Sequence, residues 1–182
     1  MNIKKRKLFI LLTSFPNTVS RAIRFWTGFS YSHASIGLEE DLNTFYSFAF
    51  KGFMIEKITR FVRPGRTPYP CMLYELEVSE AVYQDAQNIL SEIISRRKHL
   101  RYTKRGAILS LLQIHHRREG HYFCSHFVAE VLQKSRAARL KKASNLYLPQ
   151  DFEHLHGVRK IFQGNLRDMI RHFYWSPYSF SR

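Results

Sequence analysis

The sequence predicts an α+β fold in which a small, mostly antiparallel sheet packs against a helix beginning at Cys124. Three observations carry this expectation. Residues 31–38 alternate between two faces, with Ala34, Ile36 and Leu38 on a bulky side and His33, Ser35 and Gly37 on a small one, the period-2 pattern of a strand. Residues 44–50 (Thr-Phe-Tyr-Ser-Phe-Ala-Phe) are aromatic and strand-prone, and the polar turn Glu39 to Asn43 before them predicts an antiparallel hairpin. From Cys124 onward, Phe127, Val128, Val131 and Leu132 recur at i+3, i+4, i+7 and i+8, which makes an amphipathic helix with the sulfur on the core side of its first turn.

The remaining elements follow in chain order. Leu8 to Ser14 reads as a buried strand. Preceded by Lys4-Lys5-Arg6-Lys7, it imitates a secretory signal, but the apolar run is short and meets Thr13, Ser14 and Pro16 without a small-x-small cleavage pattern. Asn17 to Trp26 places Val19, Ala22, Ile23 and Trp26 at helical spacing until Gly28. Met54 to Ile58 is extended, a loop rich in Arg, Pro and Gly follows from Arg63 to Pro70, and Met72 to Val78 is the next strand. Ser79 caps a helix whose stripe of Ala81, Val82, Ala86, Ile89, Leu90, Ile93 and Ile94 ends at Arg96-Arg97-Lys98, where positive charge suits a C-terminus. Ala107 to Leu112 is a shorter helix, and His115 to Gly120 connects it to Cys124. Beyond Leu148-Pro149-Gln150-Asp151, Arg159 to Met169 reads as a hairpin turning at Gly164. The length of 182 residues, without repeats or an interdomain linker, suits one domain over 1–182.

Composition narrows the classes of function. A chain that is 45% hydrophobic and 24% charged is neither disordered nor collagen-like. Two cysteines, Cys71 and Cys124, do not make a disulfide scaffold, so a reducing, cytoplasmic setting is expected, with Cys71 structural. The 29 Lys and Arg against 14 Asp and Glu give a net charge of +15, which favours anionic partners. Basic runs at Lys4 to Lys7, Arg96 to Lys98, His115 to Arg118 and Arg136 to Lys142 suit an anionic membrane or polymer surface, while no motif organises them for specific nucleic acid. No run reaches the ~18 apolar residues of a membrane span. The aromatic tail Phe173, Tyr174, Trp175, Tyr178 and Phe180 is expected to pack over the sheet.

The chemistry centres on Cys124. A cysteine at a helix N-terminus feels unpaired backbone N–H groups and the positive end of the helix dipole, both of which favour thiolate. It needs a base, and His33, on the small face of its strand, would let the helix approach until imidazole meets sulfur.

The segments Tyr31-Ser32-His33-Ala34-Ser35-Ile36-Gly37-Leu38 and Tyr122-Phe123-Cys124-Ser125-His126-Phe127-Val128-Ala129-Glu130-Val131-Leu132 resemble the circularly permuted papain-like members of the NlpC/P60 superfamily, the YiiX/YycO-like group. There the histidine strand precedes the cysteine helix. The resemblance runs from the Leu8 strand through Tyr46-Ser47-Phe48 and Leu148-Pro149 to Arg159–Met169. It implies a papain-like core in which Cys124 attacks a carbonyl, His33 takes and returns the proton, and an acyl-enzyme is resolved by water or another nucleophile. The substrates implied are peptide, amide or lipid-ester bonds, and relatives include lipid acyltransferases.

The resemblance also implies a polar third residue on the strand after the histidine, which falls on Ser47. A serine would orient the imidazole without a carboxylate's charge, and Glu39, Glu40 or Asp41 could substitute if their turn folds inward. The Cys124 backbone N–H and a second donor, with Tyr31 the candidate, would hold the oxyanion. His126 stands where related sequences often carry glutamine. With His115, His116 and His121 it raises a zinc alternative using Cys124, but the spacings match no established finger, so neither metal nor cofactor is expected. The alternative function is a weak or inactive relative that binds an acylated or anionic ligand, a lipid or envelope component.

Overall fold

The computed structural model describes residues 5–15, 25, 28–38, 41–62, 65 and 67–174. Apart from Phe25, the helix expected over Asn17 to Trp26 lies outside these residues, as do Glu39, Glu40 and the tail from Trp175 onward.

The first apolar run forms β1 (Lys5–Thr13), whose Leu8 to Leu12 are buried at every position because both faces of the sheet are covered. It lies between β2 (His33–Leu38) and β5 (Pro70–Ser79), antiparallel to both. With β3 (Thr44–Ala49), β4 (Gly52–Lys57) and β8 (Val158–Asn165) they make a six-stranded antiparallel sheet in the order β4-β3-β2-β1-β5-β8. The strands β6 (Arg101–Tyr102) and β7 (His121–Tyr122) form a separate short parallel pair. The helices are α1 (Glu80–Arg96), α2 (Lys104–Leu111), α3 (Cys124–Lys134) and α4 (Leu166–Tyr174). Ser79 caps α1 as its sequence predicts, its hydroxyl accepting from the Val82 N–H.

Each sheet face has its own core. On one, Leu8, Ile10, Leu12, Ala34, Ile36 and Phe48 cluster with Tyr83 and Leu90 of α1 and with Phe127, Val128, Val131 and Leu132 of α3. On the other, Phe9, Leu11, Phe45, Cys71 and Leu73 meet Leu166, Met169 and Ile170 of α4. Burial of each such large side chain stabilises the fold by roughly 1.5–3 kcal/mol.

Two expectations are corrected. Arg159 to Met169 is not a hairpin: β8 runs straight through Gly164, which pairs with Cys71, and α4 starts at Leu166. Asn165 starts that helix by accepting the Asp168 N–H at 3.1 Å, and the spacing of Leu166, Met169 and Ile170 turns one apolar side inward. Secondly, α3 packs on the bulky face of β2, against Ala34 and Ile36, rather than on the small one.

The small face is instead filled from β3. The Phe45 ring lies over Gly37, where an added Cβ would stand 2.7 Å from a ring carbon. Gly37→Ala is therefore expected to destabilise the fold by about 1–3 kcal/mol, as overpacking does. A urea midpoint within error of wild type would show that the Phe45 ring yields freely.

Candidate active site

His33 opens β2 and Cys124 opens α3, so strand register and helix packing together fix where the two side chains meet. Thr13 of β1 pairs with His33 on one side and with Cys71 on the other, anchoring the start of β2 at the centre of the sheet. Four side chains of α3, Phe127, Val128, Val131 and Leu132, are fully buried and press the helix onto that sheet. Ser125 adds a polar tie at the first turn, its hydroxyl donating to the Tyr147 carbonyl at 2.6 Å.

His33 and Cys124 line the same cavity, near enough for each to shift the other's ionisation, so the structure brings together the two residues singled out from sequence. His33 Nε2 lies 2.7 Å from Glu56 Oε1 on β4, so Nδ1 is the ring nitrogen not taken by the carboxylate. Both His33 and Glu56 are buried. The Phe15 ring packs edge-on against the imidazole with centroids 5.3 Å apart. Cys124, half-buried, opens with His33, Glu56 and Ser32 onto a cavity of about 260 Å³.

This arrangement separates charge in the sense a nucleophile needs. Burial opposes a charged imidazole, but the Glu56 carboxylate and the nearby Cys124 outweigh it and raise the His33 pKa to about 10. Burial likewise opposes a thiolate, and here the nearby imidazole and charge of His33, followed by the Ala34 and Ser125 backbone N–H groups, hold the Cys124 pKa below its ordinary value. The residue before the helix, Phe123, makes no side-chain cap, so the first-turn N–H groups are not claimed by a capping side chain. Cys71 is the contrasting thiol: buried in the second core, and with the charge of Asp168 nearby, it is pushed up to about 12.

Ser47 does not orient His33. Its hydroxyl donates to the Ala34 carbonyl at 2.7 Å, a neighbouring-strand bond that satisfies a buried polar group. The acid is one strand further out. On the face where His33 projects, β3 offers only Ser47 and Ala49 beyond Phe45, so the longer Glu56 side chain crosses above them. Only the pairing of β4 with β3, with Glu56 opposite Phe45, brings this carboxylate to the face of His33, and no local pattern in Met54-Ile55-Glu56-Lys57 marks it. Asp41, the described member of the acidic turn, instead accepts from the Asn43 N–H at 2.7 Å and from the Thr44 hydroxyl.

Tyr31 is also placed differently from expectation. Its ring is buried in the first core, its hydroxyl donates to the Cys71 carbonyl at 3.4 Å, and it does not line the cavity. Ser32 does: its hydroxyl is buried and has no hydrogen-bond partner among the described residues.

His126 is turned away from Cys124 on α3. It is buried against Tyr122 and Phe123, and its Nε2 lies 3.2 Å from Glu130 one turn on. The His121 ring bonds the Glu119 carbonyl at 2.8 Å. Among the described residues no three His, Cys, Asp or Glu side chains converge to hold a metal ion. No helix among them is long and apolar enough to cross a membrane.

No protein-family model and no curated protein matches this chain. What the site can do therefore rests on its own geometry.

Proposed function

We propose that this protein is a cysteine-dependent hydrolase or acyltransferase acting on an amide, peptide or ester carbonyl, with Cys124 as nucleophile, His33 as base and acid, and Glu56 as the orienting carboxylate. The observation that carries the reading is one imidazole held by a buried carboxylate and near a cysteine sulfur at the wall of a cavity. The chain order, histidine strand before cysteine helix, fits a permuted papain-like arrangement.

In the reaction proposed, the Cys124 proton passes to His33 and the thiolate attacks the carbonyl carbon. The oxygen gains the negative charge, facing the Cys124 backbone N–H at the start of α3, with the Ser32 hydroxyl as the second donor. Collapse breaks the carbon–nitrogen or carbon–oxygen bond, and the leaving amine or alcohol takes the proton from the imidazolium. The thioester is then opened by water, whose proton His33 removes, or by an acceptor alcohol or amine in its place. Cys124 leaves as thiolate and the cycle closes. Glu56 keeps the imidazolium oriented and charge-balanced throughout.

The test is the pH dependence of Cys124 alkylation by iodoacetamide in a Cys71→Ala background. The inflection is expected well below the ~8.5 of a free cysteine, and His33→Ala is expected to return it to that range or above. An inflection at or above the free-thiol value in the parent would leave only a binding module.

A further inference from the structure

We propose that α3 carries a second binding site, separate from the one at Cys124, for a phosphate monoester of a small hydroxylated molecule such as a sugar. Its existence does not depend on Cys124 being a nucleophile.

A cavity of about 440 Å³ lies between α3, α1 and the connector that ends at Gly120, with Ile89 and Ile93 of α1 and Leu100 as its apolar wall. It shares no lining residue with the cavity at Cys124. Its size falls within the roughly 300–1,000 Å³ of small-molecule sites, more than a bare phosphate ion fills.

The floor sets one requirement. Glu130 Oε1 is satisfied, accepting from the Tyr122 hydroxyl at 3.0 Å with the Lys134 ammonium 2.7 Å away. Glu130 Oε2 and His126 Nε2 are not. They lie 3.2 Å apart on side chains only 7% and 4% exposed, and neither makes a hydrogen bond among the described residues. The carboxylate oxygen accepts, and the imidazole nitrogen donates when it carries the ring proton. A ligand hydroxyl, which donates and accepts at once, completes both, whereas an aliphatic group would leave both buried and unmade.

The rim sets the other requirement. Arg96 is held by Glu92 at 3.1 Å and Lys134 by Glu130, so Glu119, which is exposed, is the one carboxylate left among the described lining residues to offset Arg117 and Arg118. Arg117 is 58% exposed with Nη2 3.7 Å from Glu130 Oε2, beyond hydrogen-bond length, and Arg118 pairs with no carboxylate among the described residues. These two guanidiniums end the basic run His115 to Arg118, which the site at Cys124 leaves unused. Two adjacent forks of N–H donors match the oxygens of a phosphate monoester. The isoleucines then cover the carbon skeleton between its phosphate and hydroxyl ends.

Isothermal titration calorimetry of the full chain with glucose-6-phosphate, glucose and inorganic phosphate tests this assignment. The sugar phosphate is expected to bind, with inorganic phosphate at least about tenfold weaker and glucose undetected. Arg117→Ser combined with Arg118→Ser, two exposed changes, is expected to weaken the sugar phosphate about tenfold or more. In His126→Phe, which keeps a ring against Tyr122 and Phe123, the sugar phosphate is expected to fall to the affinity of inorganic phosphate, whose own binding persists and reports a folded chain. No binding of the sugar phosphate, binding no tighter than that of inorganic phosphate, binding unchanged by the two serines, or binding unchanged by His126→Phe each overturns the proposal. None of these outcomes bears on the Cys124 alkylation inflection, which tests the nucleophile separately.

Discussion

Glu56→Gln is expected to lower turnover at Cys124 by on the order of a hundred- to ten-thousand-fold while leaving the shape of the site intact, the range seen when an orienting carboxylate loses its charge. The reason is electrostatic. The carboxylate 2.7 Å from His33 Nε2 sustains a protonated imidazole against the cost of burial, and that imidazolium in turn sustains the thiolate. Glutamine keeps the volume but neutralises the charge, so the imidazole pKa falls, the proton returns to sulfur, and the alkylation inflection moves up. Ser47→Ala, which removes a bond to Ala34 only, is expected to leave that inflection where it is. If the serine variant moves the inflection and the glutamine variant does not, the assignment of the third residue is reversed.

The same substitution has a stability signature whose sign is fixed by linkage. The His33 pKa is about 10 in the folded chain against an ordinary value of 6.5 once unfolded, so its contribution to stability is fully present below pH 6.5 and is lost as pH rises through 10. Wild type should therefore exceed Glu56→Gln in stability most at the acid end of this window, with the gap closing toward pH 10. Thermal unfolding at several pH values measures it. A gap that widens with rising pH would mean that His33 is held neutral by its surroundings.

How far the site was legible in the sequence depends on which forces set each residue. Cys124 could be read because helix periodicity and helix-terminus electrostatics are local: Phe127, Val128, Val131 and Leu132 announce the helix, and its start carries the sulfur. His33 was legible through strand alternation, though for the wrong packing reason. The small face it shares with Ser35 and Gly37 accommodates Phe45 from β3, and the helix lies on the other side. At the first position of β2, at the end of the strand, the imidazole comes near Cys124 although α3 lies on the opposite face of the sheet.

Glu56 was not legible because its role depends on non-local pairing. Only once β4 is placed antiparallel to β3, with Glu56 opposite Phe45, does its carboxylate fall on the histidine's side of the sheet. Ser47 was the reasonable choice from adjacency, but a buried hydroxyl takes the nearest acceptor, here the Ala34 carbonyl. Tyr31 failed similarly, its hydroxyl satisfied by Cys71 on β5. The hairpin expected at Gly164 shows the opposite error: glycine suggests a turn, although Asn165, a residue later, has the side chain that starts a helix.

Phe127→Ala is expected to carry the largest stability cost of any single truncation on α3, about 3–5 kcal/mol, equivalent to a fall in Tm on the order of 10 °C for a chain of this size. The ring is fully buried and meets Phe48 at 5.2 Å, Phe53 at 5.9 Å and Tyr122 at 6.3 Å between centroids, so its removal opens a void bordered by rings from β3, β4 and β7. Those rings cannot all collapse into the space without leaving their strands. The void lies one turn below Cys124, yet the nucleophile has other anchors: Val128, Val131 and Leu132 remain buried, and the Ser125 hydroxyl still holds the Tyr147 carbonyl. Below the new midpoint the folded variant is therefore expected to keep the depressed alkylation inflection of the parent, while unfolding at lower urea. Loss of the inflection without loss of stability would place the control of the thiolate in this aromatic cluster rather than in His33, Glu56 and the backbone N–H groups. A Phe127→Leu chain, expected to lose only part of the stability, separates the two effects by keeping most of the volume.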